Sequence, residues 1–121
     1  MPRNRSERSA FLSTQIAERV ADTMFALSTP SRVQILGCLM LGSRSVSELI
    51  EALGMEQSAV SHQLRVLREQ ALVRVERDGS RRVYALADDH VVALLREAQR
   101  HVTHRRRGQS LLGRVRGSAA N

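Results

Sequence analysis

The sequence has no lysine and no tryptophan, one cysteine, two prolines and three aromatic residues in 121. Each shortage narrows what the chain can be. With Cys38 alone, no intrachain disulfide can form, and its place in the apolar run Ile35-Leu36-Gly37-Cys38-Leu39-Met40 reads as a small core residue. A core built with so few rings must be Leu, Val, Ile, Ala and Met, which leaves little material for a substrate pocket. No apolar run is long enough to cross a bilayer, and the opening MPRNRSERSAF lacks the apolar stretch of a secretory signal. A cytoplasmic protein without a membrane partner is expected. Apart from the histidines of the last helix, no cluster of Glu, His or Ser is placed to act as acid, base or nucleophile, so no enzyme activity is expected. The missing lysine means that all 19 basic residues are arginine, as a GC-rich genome would encode. The formal charge of +7 draws the chain toward polyanions.

What is present is one domain's worth of chain with two polar ends. Residues 1–12 read as a disordered basic arm and 105–121, opening Arg105-Arg106-Arg107, as a disordered basic tail. Between them, 13–104 follows the 3.6-residue period of helices. Ile16, Val20, Met24 and Leu27 share one face of a first helix. Thr29-Pro30 restarts the chain into a second helix from Ser31 to about Leu41, with Val33, Ile35, Leu36 and Leu39 mostly inward. Ser45 and Glu48 form a capping box for Val46–Leu53, and Gly54 stops that helix. Glu56 to about Ala71 is the next helix, with Val60, Leu64 and Leu67 inward. Leu72–Arg77 and Arg82–Leu86 then alternate around Asp78-Gly79, a hairpin signal, and helical period returns after Asp88 to about His104. The expected fold is mainly α with a β-hairpin wing, a winged helix-turn-helix in the order α-α-α-α-β-β-α.

Within it, Leu53-Gly54-Met55 joins two short helices, as in a helix-turn-helix. The second presents Gln57, Ser58, Ser61, His62 and Arg65 outward. These are short or planar hydrogen-bonding groups suited to base edges and phosphates, where an ordinary solvated helix more often carries Glu and Lys. At the hairpin tip, Arg77, Arg81 and Arg82 suit a flanking phosphate or a minor groove, or simply a solvated turn.

Three stretches carry a family resemblance: Ala26-Leu27-Ser28-Thr29-Pro30-Ser31-Arg32, Val46-Ser47-Glu48-Leu49, and Gln57-Ser58-Ala59-Val60-Ser61-His62-Gln63-Leu64-Arg65-Val66-Leu67-Arg68. Over about residues 15–104 the chain resembles the ArsR/SmtB family of metal-responsive regulators. The resemblance implies a homodimer joined through its first and last helices, seated on an inverted-repeat operator in double-stranded DNA. It also implies repression, usually relieved by metal. The residues expected to meet a partner are Ile16, Val20 and Met24 of the first helix and Val91, Leu94, Leu95 and Ala98 of the last.

The last helix carries Asp88, His90, His101 and His104. Helical steps of about 100° put His90 and His101 within roughly 20° of one face, and His104 is a neighbour of His101. Along the axis, however, His90 and His101 stand about 16 Å apart, so one helix cannot hold one ion with both. Two helices packed antiparallel across a two-fold axis can, bringing Asp88 and His90 of one copy to His101 and His104 of the other, twice per dimer. The spacing matches the last-helix metal site of the family. Three imidazoles and a carboxylate suit Ni(II), Zn(II) or Co(II) and not the thiophilic ions. The family's cysteine site is missing here, because that segment reads Ser43-Arg44-Ser45-Val46-Ser47.

Residues Gly54–Arg68 look most like the actinobacterial nickel/cobalt-sensing branch, which binds nickel with more than four ligands. Residues 1–15 hold no His, and neither His nor Cys follows His104, so water, Glu7 or a terminal amine would complete the shell. Nickel is the first choice and zinc follows. The alternatives are a metal-independent winged-helix regulator or an interaction module of the same fold. A separate metal-delivery protein leaves no signature in the chain.

Overall fold

The computed structural model describes residues 12–108. Among them five helices and one antiparallel hairpin run in the order α1 (Thr14–Ala26), α2 (Pro30–Leu39), α3 (Val46–Leu53), α4 (Gln57–Glu69), β1 (Val73–Asp78), β2 (Arg81–Leu86) and α5 (Asp89–Gly108). Local chemistry sets most boundaries. The Ser13 hydroxyl accepts from the Ile16 N–H and opens α1, and Thr29 does the same for the Arg32 N–H with Pro30 in the first turn of α2. Ser45 and Glu48 form the expected capping box at α3, and Gly54 ends that helix at φ 66°, a left-handed conformation that glycine adopts without a Cβ penalty. At the end of α4 the left-handed position falls on Ala71, at φ 56°. The Leu72 N–H closes the turn on the Leu67 carbonyl at 2.9 Å.

The core lies where α2, α3 and α4 meet the hairpin. Ile35, Leu36, Leu49, Val60, Leu64 and Leu67 are its largest fully buried members. Each contributes about 1.5–3 kcal/mol by leaving water. The hairpin pairs Val73 with Leu86 through to Asp78 with Arg81, so the loop is Gly79-Ser80, one residue later than Asp78-Gly79, with Gly79 at φ 66°. β2 does not alternate: Val83, Tyr84, Ala85 and Leu86 are all buried. It packs against α2 and α5, and Arg44 and Tyr84 exchange backbone hydrogen bonds at 2.9 and 2.7 Å, adding a short third rung to the sheet.

Four further expectations change. α2 ends at Leu39, and Leu41 is exposed beyond it. Val33, expected inward, is 43% exposed, because Arg32 takes a place on the inner face beside Ile35, Leu36 and Leu39. Val91 and Leu95, expected to need a partner, are buried in their own chain's core; Leu94 is half-buried and Ala98 exposed. The last helix continues past His104 to Gly108, into what the sequence suggested was tail. The proposed arm (1–12) apart from Leu12, and the tail from 109 on, lie outside the described residues. No described helix is long and apolar enough to cross a membrane.

Candidate nucleic-acid interface and metal centre

Gly54 turns the chain so that α4 follows α3 after three residues, Gly54, Met55 and Glu56. Val60, Leu64 and Leu67 anchor one side of α4 in the core, and helical geometry sends Gln57, Ser58, Ser61, His62 and Arg65 to the opposite side, where all five are exposed. The expected reading face is therefore continuous and unobstructed within the protomer. Acidic groups are missing from it between Gln57 and Arg68, as a surface meeting phosphates requires.

The wing arginines are exposed but not idle. Arg81 donates to Glu48 Oε1 at 2.8 Å, the same oxygen that accepts from the Ser45 N–H at 2.8 Å. The Ser45 backbone hydrogen bond is the main cause, with the Ser45 hydroxyl and Arg81 adding to it, that holds the Glu48 carboxyl below the ordinary range for Glu. Arg82 donates to the Tyr84 hydroxyl at 3.2 Å and lies 5.9 Å from the centre of its ring. Ser45, Ser47, Glu48, Arg81, Arg82 and Tyr84 help to line an open cleft of about 510 Å³ between α3 and the wing. Arg77 is exposed on β1. An exposed pair such as Arg81–Glu48 is weak and screened by solvent, so a phosphate can compete for the guanidinium.

On α5 the four expected ligands separate as the helical rise requires. Asp88 caps the helix, its Oδ1 accepting from the Val91 N–H at 3.1 Å, and His90 Nδ1 lies 3.7 Å from the same oxygen. His90 is almost wholly exposed, at 98% of its side chain, and His101 and His104 are exposed one turn apart at the other end. Among the described residues, no three His, Cys, Asp or Glu of a single chain come close enough to hold an ion. The four side chains form two exposed pairs whose donor chemistry a divalent metal accepts, and neither pair makes a full set alone.

Several residues of consequence escaped the sequence reading. Arg32 is buried, and Gln63, on the recognition helix, bonds to it. Both carried a signal. Arg32 stands at the helical spacing of Leu36 and Leu39, and Gln63 at that of Val60 and Leu67, so each is a polar residue on an apolar face. Phe25, 73% exposed beside Met24, extends the uncovered surface of α1.

Comparison with known proteins agrees with this arrangement. Residues 29–75 match the bacterial regulatory protein, arsR family. The chain is 53% identical over 106 residues to the HTH-type transcriptional regulator NmtR of Mycobacterium tuberculosis, covering 88% of each. The chain belongs to the ArsR family of transcriptional regulators. It is also 41% identical over 91 residues to the transcriptional repressor SmtB homolog of Synechocystis, covering 75% of this chain and 69% of that one. The solution structure of apo-NmtR superposes with a TM-score of 0.66 at 54% identity, covering 86% of each chain. A homodimeric winged helix-turn-helix DNA-binding domain, Mb0332 of Mycobacterium bovis, superposes with a TM-score of 0.69 at 29% identity, covering 85% of this chain and 91% of that one. The fold is thus a winged helix-turn-helix, and the protein is a DNA-binding regulator rather than an enzyme.

Proposed function

We propose that this protein is a homodimeric, metal-responsive repressor that reads an inverted-repeat operator through α4 and releases or tightens on it when a divalent metal binds between subunits. Gln57, Ser58, Ser61 and His62 are assigned to base edges, with Arg65 and the wing residues Arg77, Arg81 and Arg82 on flanking phosphates. Asp88 and His90 of one copy and His101 and His104 of the other are assigned to each metal. The single observation that carries the reading is the split of these ligands between the two ends of one exposed helix, each pair open and incomplete.

A dimer through α1 and α5 would close both deficits at once. α1 exposes Ile16, Val20, Met24 and Phe25, and α5 exposes Ala98 and Val102. Burying such surface against a second copy favours association at roughly 25 cal/mol per Å² of apolar area. Mb0332, of the same fold, is a homodimer. Metal that bridges the two α5 helices would supply a Lewis-acid tie between copies, and the protein's own residues would convert it into a change at α4. A metal-bound His101 has a second ring nitrogen free to donate a hydrogen bond. A backbone carbonyl at Ala71-Leu72, where α4 ends, is the acceptor this reading assigns.

Nickel is the assignment preferred among Ni(II), Zn(II) and Co(II), on the resemblance of residues Gly54–Arg68 to the nickel/cobalt-sensing branch. A zinc sensor is the second reading, favoured by the donor count: three imidazoles and one carboxylate complete a tetrahedral zinc shell without further ligands. The test is the affinity for DNA from the chain's own upstream region at fixed salt, with and without Ni(II) or Zn(II). The expected change is about 5–150-fold for the cognate metal and none for a His90→Ala/His101→Ala variant. Equal DNA affinity with and without each metal makes the protein a metal-independent regulator.

A further inference from the structure

Gln63 lies on the recognition helix but not on its reading face. It is half-buried, and both ends of its amide are held from behind. Its Oε1 accepts from Arg32 Nη1 at 3.0 Å, and its Nε2 donates to Ser31 Oγ at 3.1 Å. Arg32 is only 8% exposed, and its described polar contacts include no carboxylate. Its Nε donates to the Ala26 carbonyl at 2.5 Å and its Nη2 to the Phe25 carbonyl at 3.2 Å. A buried guanidinium needs compensation. Here the negative end of α1, where carbonyls lack partners inside the helix, provides it.

One side chain based on α2 therefore bonds α1 on one side and α4 on the other. α1 buries only Ala26 in the protomer, so these bonds are a large part of what fixes its end. The hydrogen bonds join charged to neutral groups inside the protein, where such bonds are stronger and more directional than on the surface.

We propose that Gln63, acting with Arg32, is a positioning residue that sets the recognition helix relative to α1, and hence relative to the partner copy that α1 carries. This rests on the dimer and the DNA-reading assignment above. Two half-sites on a rigid duplex are met together only if the two reading helices keep their spacing and angle. Phosphate attraction without sequence preference makes no such demand. Loosening the link should therefore lower affinity for the operator and leave non-specific affinity unchanged.

The experiment measures binding of full-length wild type, Gln63→Met, Arg32→Lys and the double variant to two duplexes at one salt concentration. One is the chain's own upstream region and the other is a scrambled sequence of the same length. Methionine keeps the length and apolar stem of Gln63 without its hydrogen bonds, and lysine keeps the charge of Arg32 without its fork. Each single variant should bind the upstream duplex about tenfold more weakly. Each should bind the scrambled duplex as wild type does, with the same sedimentation coefficient. The double variant should be no weaker than the weaker single, because both changes break one link. Wild-type affinity in Gln63→Met overturns the inference. So do additive losses, which mean two independent contacts, and parallel losses on both duplexes, which mean general loss of structure. A wild-type chain that does not prefer its upstream DNA overturns the DNA-reading assignment and the inference with it. A wild type that does prefer it, with variants that prefer it equally, overturns the inference alone.

Discussion

Helices α2, α3 and α4 close their apolar sides on one another and on the hairpin, whereas α1 and α5 do not. In the inner group Ile35, Leu36, Leu49, Val60, Leu64 and Leu67 are fully buried. In α1 only Ala26 is buried, and among the residues of α5 whose burial is described only Val91 and Leu95, near its start, are buried. The outer helices keep their amphipathic sequence but present Ile16, Val20, Met24, Phe25 and Val102 to solvent. One group makes the protomer; the other leaves most of its apolar surface uncovered. The proposed metal ligands sit on the outer group and the proposed reading face on the inner one, so a metal response would have to cross between them. Within a protomer, Arg32 and Gln63 join α1 to α4, and Val91 and Leu95 join α5 to the inner core.

The comparison breaks most sharply by substituting one residue of each group. Leu64→Ala opens a cavity in the inner core and should cost about 2–5 kcal/mol in denaturant unfolding at every protein concentration. Val20→Asp should leave the helical signal intact and yield a monomer by sedimentation, with a thermal midpoint that no longer rises with concentration. Leu95→Asp should behave like the core variant, because Leu95 is buried in its own chain. A folded, monomeric Leu95→Asp, or an unfolded Val20→Asp, would erase the distinction.

Asp88 belongs to both roles, since it caps α5 and is proposed as a ligand. Asp88→Ala should lose about 1 kcal/mol of stability together with metal affinity. Asparagine caps as well as aspartate, so Asp88→Asn should keep stability within a few tenths of a kcal/mol and still weaken metal binding. Denaturant melts beside metal titrations separate the two. Equal stability for both variants would mean that the capping bond contributes nothing.

The smallest expected effect concerns the wing. Glu48→Gln keeps a side-chain acceptor for the capping box but removes the charge that holds Arg81. DNA affinity should rise a few-fold and its salt dependence steepen by about one phosphate contact. The sign in pH follows from a carboxyl whose pKa is lowered on folding. Its stabilising contribution is present above the ordinary Glu range and is lost as pH falls through the depressed folded value, and Glu48→Gln should abolish that part of the acid dependence. Unchanged DNA affinity would mean that Arg81 stays with Glu48 on DNA.

Much of this was legible in the chain because period and caps act locally. The Ser45–Glu48 box, Thr29-Pro30, Gly54 and the apolar spacing of α4 each specify their own segment, and the outward set from Gln57 to Arg65 follows once Val60 and Leu64 turn inward. What was not legible depends on contacts between distant segments. Nothing near Tyr84 announces that Arg44 will pair with it, so the four-residue burial of β2 was unforeseen. Whether Val91 and Leu95 meet their own chain or another copy is decided by where β2 and the core lie, not by helical period. A helix wheel shows Arg32 and Gln63 on apolar faces but not that they face each other. The aspartate and histidines can be proposed as ligands only by spacing, because a single helix sets His90 and His101 about 16 Å apart.

The measurement that bears most directly on the division between inner and outer helices is metal binding by a mixed dimer. One copy carries Asp88→Asn and His90→Ala, and the other His101→Ala and His104→Ala. Each changed chain alone should form a homodimer with no intact site. The mixed dimer should regain one wild-type site, with the other fully stripped, so Ni(II) or Zn(II) titration should give one tight ion per dimer against two for wild type. Wild-type stoichiometry and affinity in either mutant homodimer, or no recovery in the mixed dimer, would contradict a metal centre shared between subunits.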